Sequence, residues 1–243
     1  MILKEHEINI PKYNIRGFLD IIEIEDKNIT ITDIKSMKSY TWKKKFGREY
    51  NRDKNPSFMY ELQLATYGLG IREEYPEYNI ALQLMYYNKD SSSIKTEPID
   101  YEYWVMRAEE YWEEANDYLH EHTEDKPEPG FEMNVPVMDW ECNYCSYSSY
   151  CSSLYKNEKR KEKTYTEPII KKYLHYLHRI NETNIKDRYK DKEHLLHASN
   201  AGRCFGIHWY QTHKYKPMLP GDESMLVLRL GTLIHEDIQK SLQ

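Results

Sequence analysis

Apolar and polar residues alternate through "NIRGFLDIIEIE" and again through "NITITDIKSM", so the chain from Asn14 to Met37 predicts two strands joined by a turn at "EDKN". Side chains alternate with period two, which puts Ile29, Ile31, Asp33 and Lys35 on one face of the second strand. In "SFMYELQLATYGLGI" the period changes to helical, with Gln63 and Tyr67 at i, i+4. "NIALQLMYYNKDSSSIKTEPIDY" predicts a hairpin with a polar tip, and a long helix follows over roughly 103–122. A Pro- and Gly-containing connection, "DKPEPGFEMNVPVMD", leads into "ECNYCSYSSYC". Beyond it, "KNEKRKEK" predicts a charged linker, "EPIIKKYLHYLHRI" a short amphipathic helix, and "NETNIKDRYKDKEHLLH" a polar stretch. In "ASNAGRCFGIHWY" Ser199 or Asn200 is the expected helix N-cap, with Cys204 just inside. "SMLVLRLGTLIHEDIQKSLQ" predicts a last helix with apolar residues every three or four positions and no Gly or Pro to stop it. Strands and helices mixed in this way, without internal repeats, predict a single α/β domain.

Charge alters the picture locally. The net charge is −6, so contact with a polyanion must come from local patches. Residues 36–54, "SMKSYTWKKKFGREYNRDK", hold seven basic and two acidic side chains, interleaved with Tyr40, Trp42, Phe46 and Tyr50. Cations beside rings suit a single-stranded nucleic acid; a solvated loop would have the same composition. Residues 109–128 hold nine acidic side chains, a face expected to turn away from any polyanion. No apolar run approaches the roughly 20 residues of a membrane span. The opening "MILKEHEINIPKY" has charges where a signal peptide is apolar, so the expectation is a cytoplasmic protein with reduced cysteines and no membrane partner.

Phosphodiester hydrolysis needs the phosphate shielded, a water held in line and the leaving oxygen stabilised, and divalent cations on carboxylates do all three. Adjacent strands can bring Asp20 of "GFLD" and Asp33 of "TDIK" to one metal, with Lys35 on the phosphate or the attacking water. An ordinary cross-strand ion pair would use the same residues. Three cysteines, Cys142, Cys145 and Cys151, follow Cys-x2-Cys-x5-Cys, which is three quarters of a metal site, and Cys204 is left over. Structural zinc sites more often pair two Cys-x2-Cys knuckles, and only one is present.

"GFLD", "ITDIKS" and "QLATY", in that order, resemble the RecB-type branch of the PD-(D/E)XK nucleases, whose pattern is Gly-x-x-Asp, Asp/Glu-x-Lys, then Gln-x-x-x-Tyr. The resemblance implies a restriction-endonuclease-like core, a mixed central sheet flanked by helices. It implies Asp20 and Asp33 as Mn²⁺ or Mg²⁺ ligands, Lys35 as the catalytic lysine, and Gln63 and Tyr67 on the active-site helix. The family's histidine usually precedes these strands in Gly-x-x-x-His. Here "GTLIH" at the far end fits, with Gly231 and His235, and makes His235 the third metal ligand by resemblance.

A Cys-x2-Cys-x5-Cys completed by a distant cysteine resembles the iron–sulfur staple of AddB-type and CRISPR-associated RecB-like exonucleases. That likeness implies a structural 4Fe–4S cluster on Cys142, Cys145, Cys151 and Cys204, with zinc as the alternative. The lone cysteine and the histidine helix come last in this chain and first in the family. The order is that of a circular permutation: residues 1–151 would be the C-terminal part of the core, 152–195 a linker, and 196–243 the N-terminal part. The implied activity is a DNA nuclease, an exonuclease on single-stranded DNA or DNA ends. Partners in recombination, repair, replication or CRISPR adaptation are implied, and a domain-swapped oligomer is a further arrangement. The readings from other classes are a nucleic-acid-binding module without catalysis and a zinc-stapled adaptor.

Overall fold

The computed structural model describes residues 1–47, 58–124, 142, 145–151, 165–189 and 196–242. The connection at 125–139, the charged linker, the basic residues beyond Gly47, residues 152–164 and 190–195, and Gln243 lie outside the described residues. The chain divides into two compact units: Met1–Glu121 with Leu196–Arg203 and Asp237–Gln243, and His122–Leu195 with Cys204–Glu236.

The first unit is built on a mixed six-stranded sheet, with strands β1 (Ile2–Ile10), β2 (Ile15–Glu25), β3 (Asn28–Met37), β4 (Asn79–Asn88) and β5 (Ile94–Ile99) in that spatial order. A short β6 (Leu196–His197) lies parallel to β2 at Ile15 and Arg16. The β2–β3 and β4–β5 pairs are antiparallel hairpins as expected, with Asp26 left-handed (φ 53°) in the turn between β2 and β3. Helices α1 (Ser39–Phe46) and α2 (Phe58–Glu74) occupy the crossover from β3 to the parallel β4. α3 (Tyr101–Glu121) follows β5. α2 is apolar on nearly every side and is correspondingly buried on nearly every side, from Glu61 to Ile71 apart from Gln63, against the sheet and α3. α3 buries Val105, Ala108, Trp112 and Ala115, one stripe of helical spacing, and the Trp112 indole N–H donates to Thr66 Oγ1 of α2 at 2.9 Å.

Two expectations change, and a further strand joins the fold. "ILKEHEINI" is a strand, because its residues pair with β2 from Ile2–Glu23 to Ile10–Ile15. Ser39–Phe46 is a helix where a loop was the alternative. Neither Ser199 nor Asn200 caps the helix that follows them. Ala198–Asn200 is its own 3-10 turn, and Gly202 then takes a left-handed conformation (φ 75°) against Phe58, Met59 and Leu62 of α2. That break delays the helix, so Cys204 is the N-cap residue.

The second unit is helical among its described residues: α4 (Pro168–Tyr189), α5 (Phe205–Thr212), most of α6 (Asp222–Ser241), and a single turn at Ser148–Cys151. α4 runs further than the short helix expected, through "NETNIKDRY", since nothing in that polar stretch breaks a helix. Its core is aromatic. Tyr147 stacks on Tyr210 at 5.5 Å, and Trp209 stacks on His213 at 3.8 Å. The Trp209 indole N–H donates to the His122 carbonyl at 2.6 Å.

Candidate active site

The β2–β3 ladder ends at the pair Ile21–Thr32. Asp20 and Asp33 are the next residues on each strand, so both carboxylates stand where the sheet forks. Asp20 Oδ2 reaches across the fork and accepts the Ile34 N–H at 2.7 Å, replacing a ladder bond that the parting strands no longer make. Asp33 is 3% exposed. Its Oδ2 lies 2.6 Å from the Lys35 ammonium, which period two brings to the same face.

From Lys35 the contacts pass to α2. Lys35 Nζ donates to Gln63 Oε1 at 3.0 Å, and Gln63 Nε2 donates to the Tyr67 hydroxyl oxygen at 2.7 Å. Lysine can only donate, so the Gln63 amide has one orientation, and the Tyr67 proton must point elsewhere. Burial works to lower the Lys35 pKa. The field and hydrogen bond of Asp33, with Asp20 and Tyr60 adding, outweigh it and hold Lys35 above its ordinary value. The Tyr60 ring lies 5.1 Å from the ammonium. Burial pushes the Tyr67 hydroxyl well up, Asp33 adds to the rise, the Gln63 bond opposes it, and Asp20 and Glu5 add again.

The glycine of "GFLD" has a steric reason. A Cβ on Gly17 would lie 2.7 Å from both the Tyr67 ring and the Ala198 Cβ, so the missing side chain makes room for the Tyr67 ring.

The structure thus brings five of the expected residues together: Asp20, Asp33, Lys35, Gln63 and Tyr67. His235 lies on α6, within the second unit. Two residues that sequence reasoning missed join the fork. Glu5 is left-handed (φ 48°) and stands opposite Asp20, where the β1–β2 ladder is interrupted between Lys4–Ile21 and His6–Leu19 without a change of register. Gln239, on the last turn of α6, donates from Nε2 to Glu5 Oε1 at 2.7 Å and to the Asp20 carbonyl at 3.3 Å, and its own carbonyl accepts from Lys4.

All four cysteines belong to the second unit and are half-buried. Cys145 N–H donates to the Cys142 carbonyl at 3.4 Å, and Cys151 N–H to the Tyr147 carbonyl at 3.2 Å. Burial pushes the Cys204 thiol up to about 12; the Gly206 N–H opposes this, and Cys151, Cys145 and Cys142 add to it in that order. The four sulfurs therefore share one electrostatic neighbourhood. Among the described residues, no three His, Cys, Asp or Glu side chains converge as a metal-holding group. By donor chemistry, the carboxylates of the fork suit a hard divalent cation and the thiols suit iron or zinc.

Residues 2–152 match the family model described as the PD-(D/E)XK nuclease superfamily, and the chain belongs to that superfamily. Its members are generally metal-dependent nucleases and typically use Mg²⁺ or Mn²⁺. No curated protein matches the chain. A solved structure described as "Crystal structure of SSO0001" is 20% identical, with 62% of this chain and 59% of that chain covered and a TM-score of 0.31. The match therefore spans about three fifths of that chain's length. No helix among the described residues is long and apolar enough to cross a membrane.

Proposed function

We propose that the chain is a DNA exonuclease acting on single-stranded DNA or DNA ends. The observation that carries this reading is the continuous series Asp33–Lys35–Gln63–Tyr67 beside Asp20 at the sheet fork. Asp20, Asp33 and His235 would hold Mn²⁺ or Mg²⁺, which when bound shields the phosphate, presents the attacking water and stabilises the leaving oxygen. Lys35, kept charged by Asp33, contacts the phosphate or orients the water. Gln63 and Tyr67 fix its position. His235 takes this role from the family's Gly-x-x-x-His, which Gly231 and His235 match.

The same proposal includes a structural 4Fe–4S cluster on Cys142, Cys145, Cys151 and Cys204, supported by the Cys-x2-Cys-x5-Cys spacing and by the placing of all four cysteines in one unit. It also includes the permuted order, with 1–151 and 196–243 as the two parts of one nuclease core. The bonds from Gln239 to Lys4 and Glu5 support that order, since they set the last helical turn beside the first strand.

End-labelled single-stranded DNA incubated with Mn²⁺ tests the activity. The parent protein is expected to shorten it, and Asp33→Ala and His235→Ala to be inactive while keeping the parent's circular dichroism. Cutting by both variants at the parent's rate removes the site assignment. Protein purified without oxygen is expected to be brown, absorbing broadly near about 400 nm. A colourless protein with one zinc per chain would replace the cluster by a zinc staple.

A further inference from the structure

The outward face of α1 takes no part in the catalytic series, yet α1 is the first element after the strand that carries Asp33 and Lys35. Its two faces differ in chemistry. Trp42, Lys45 and Phe46, at i, i+3 and i+4, face inward. Lys45 is 6% exposed and pairs with Glu97 of β5 at 2.6 Å, and Phe46 meets Trp42 at 4.7 Å and Tyr86 of β4 at 5.3 Å. Tyr40, Lys43 and Lys44 have the same spacing on the other face, and all three are exposed, Tyr40 at 70%. The Lys44 ammonium lies 4.6 Å from the centre of the Tyr40 ring. Lys95, also exposed, lies 4.5 Å from the Phe46 ring and extends the cationic surface onto β5. The helix is fixed at its start as well, where Asp90 Oδ2 of the β4–β5 turn accepts the Ser39 N–H at 2.7 Å. The inner contacts thus hold an open aromatic ring and two ammonium groups in a set orientation.

In a protein of net charge −6, this local density of cations is what gives a polyanion a place to settle. A ring open to solvent offers its face to a base, and neighbouring ammoniums neutralise the phosphates on either side. A duplex keeps its base faces within its own stack, so such a platform favours unpaired nucleotides. We propose that the Tyr40–Lys43–Lys44 face of α1 binds the single-stranded nucleic acid that leads to the catalytic carboxylates, with Tyr40 stacking on a base. The destination of the strand rests on the nuclease reading above; the binding itself does not need cleavage.

Fluorescence anisotropy with labelled oligo(dT) and a hairpin duplex tests this, using the full chain carrying Asp33→Asn, in EDTA, at several salt concentrations. The single strand is expected to bind more tightly than the duplex. Lys43→Glu with Lys44→Glu should weaken it at least about tenfold and flatten the log–log salt dependence by about 1.4, the share of two phosphate contacts on a single strand. Tyr40→Ala should weaken it about tenfold at unchanged salt dependence, and Tyr40→Trp should restore it. The same charge reversal at Lys171 and Lys172, exposed on α4, should leave binding unchanged. Parent-like binding by folded α1 variants overturns the proposal, as does a duplex preference untouched by Tyr40→Ala. If binding depends on Tyr40 but the parent cuts no DNA, the nuclease reading fails and the α1 surface stands. If the parent cuts DNA and the α1 variants bind like the parent, only the α1 surface fails.

Discussion

Gly17 and Tyr67 are one feature seen from two elements. The ring needs the space that a side chain on β2 would fill, and the hydroxyl needs the Gln63 amide one turn earlier. Gly17→Ala forces a close contact on each side of the new methyl group and is expected to cost about 1–3 kcal/mol of stability, read from the urea midpoint. Cleavage should fall further than the loss of folded protein explains, because the ring that moves is tied to Lys35 through Gln63. Gln63→Ala separates the same link without a clash. It is expected to lower kcat by about a hundredfold, the cost of a small misplacement, with little change in the urea midpoint. At this scale the site was legible in the sequence where its parts are rigidly spaced: Asp33 and Lys35 by strand parity, Gln63 and Tyr67 by one helical turn. Glu5 and Gln239 were not, because an interruption of a ladder and a contact between opposite ends of the chain have no fixed spacing.

α1 shows why some elements escape sequence reading. Eight residues rich in lysine and aromatics are too short to be helical alone, and the helix depends on the Lys45–Glu97 pair and the Tyr86 ring, both distant in sequence. The β2–β3 hairpin, the β4–β5 hairpin and α3 were legible because each carries its own period, and α2 because its apolar run is too long for a strand. The first strand was not read as one, since charges interrupt its alternation before Ile8. The anchoring of α1 also carries a pH dependence. The Ser39 N–H, then the Ser39 hydroxyl, with Lys38 and Lys89 adding, hold the Asp90 carboxyl below its ordinary 3.8. Its contribution is therefore complete above that value and is lost as pH falls through the lower, folded-state value. Trp42 fluorescence, followed downward from pH 5, should report the loosening of α1 in the parent. Asp90→Asn should remove that acid-dependent step.

In the whole molecule, the sheet unit holds Asp20, Asp33, Lys35 and α2, and the other unit holds every cysteine and His235. The family pattern made the first group legible as a set. The division of the chain between units was not legible, because it depends on contacts across more than a hundred residues. Cys204→Ser leaves three thiols; under the cluster proposal it is expected to abolish the brown colour and lower the thermal midpoint. A variant that stays brown and as stable as the parent would remove Cys204 from the staple. The parallel pairing of β3 with β4, Asn28 opposite Asn79, has a consequence in time. The hairpin bearing Asp20 and Asp33 can form early from neighbouring residues, but Gln63 and Tyr67 ride on the crossover and reach it only when β4 docks. Refolding followed by interrupted DNA-cleavage assays should show no activity in the early hairpin-containing species, and no activity before the last sheet contacts form. A chain emerging from synthesis would then carry its carboxylates for some time before it could harm DNA.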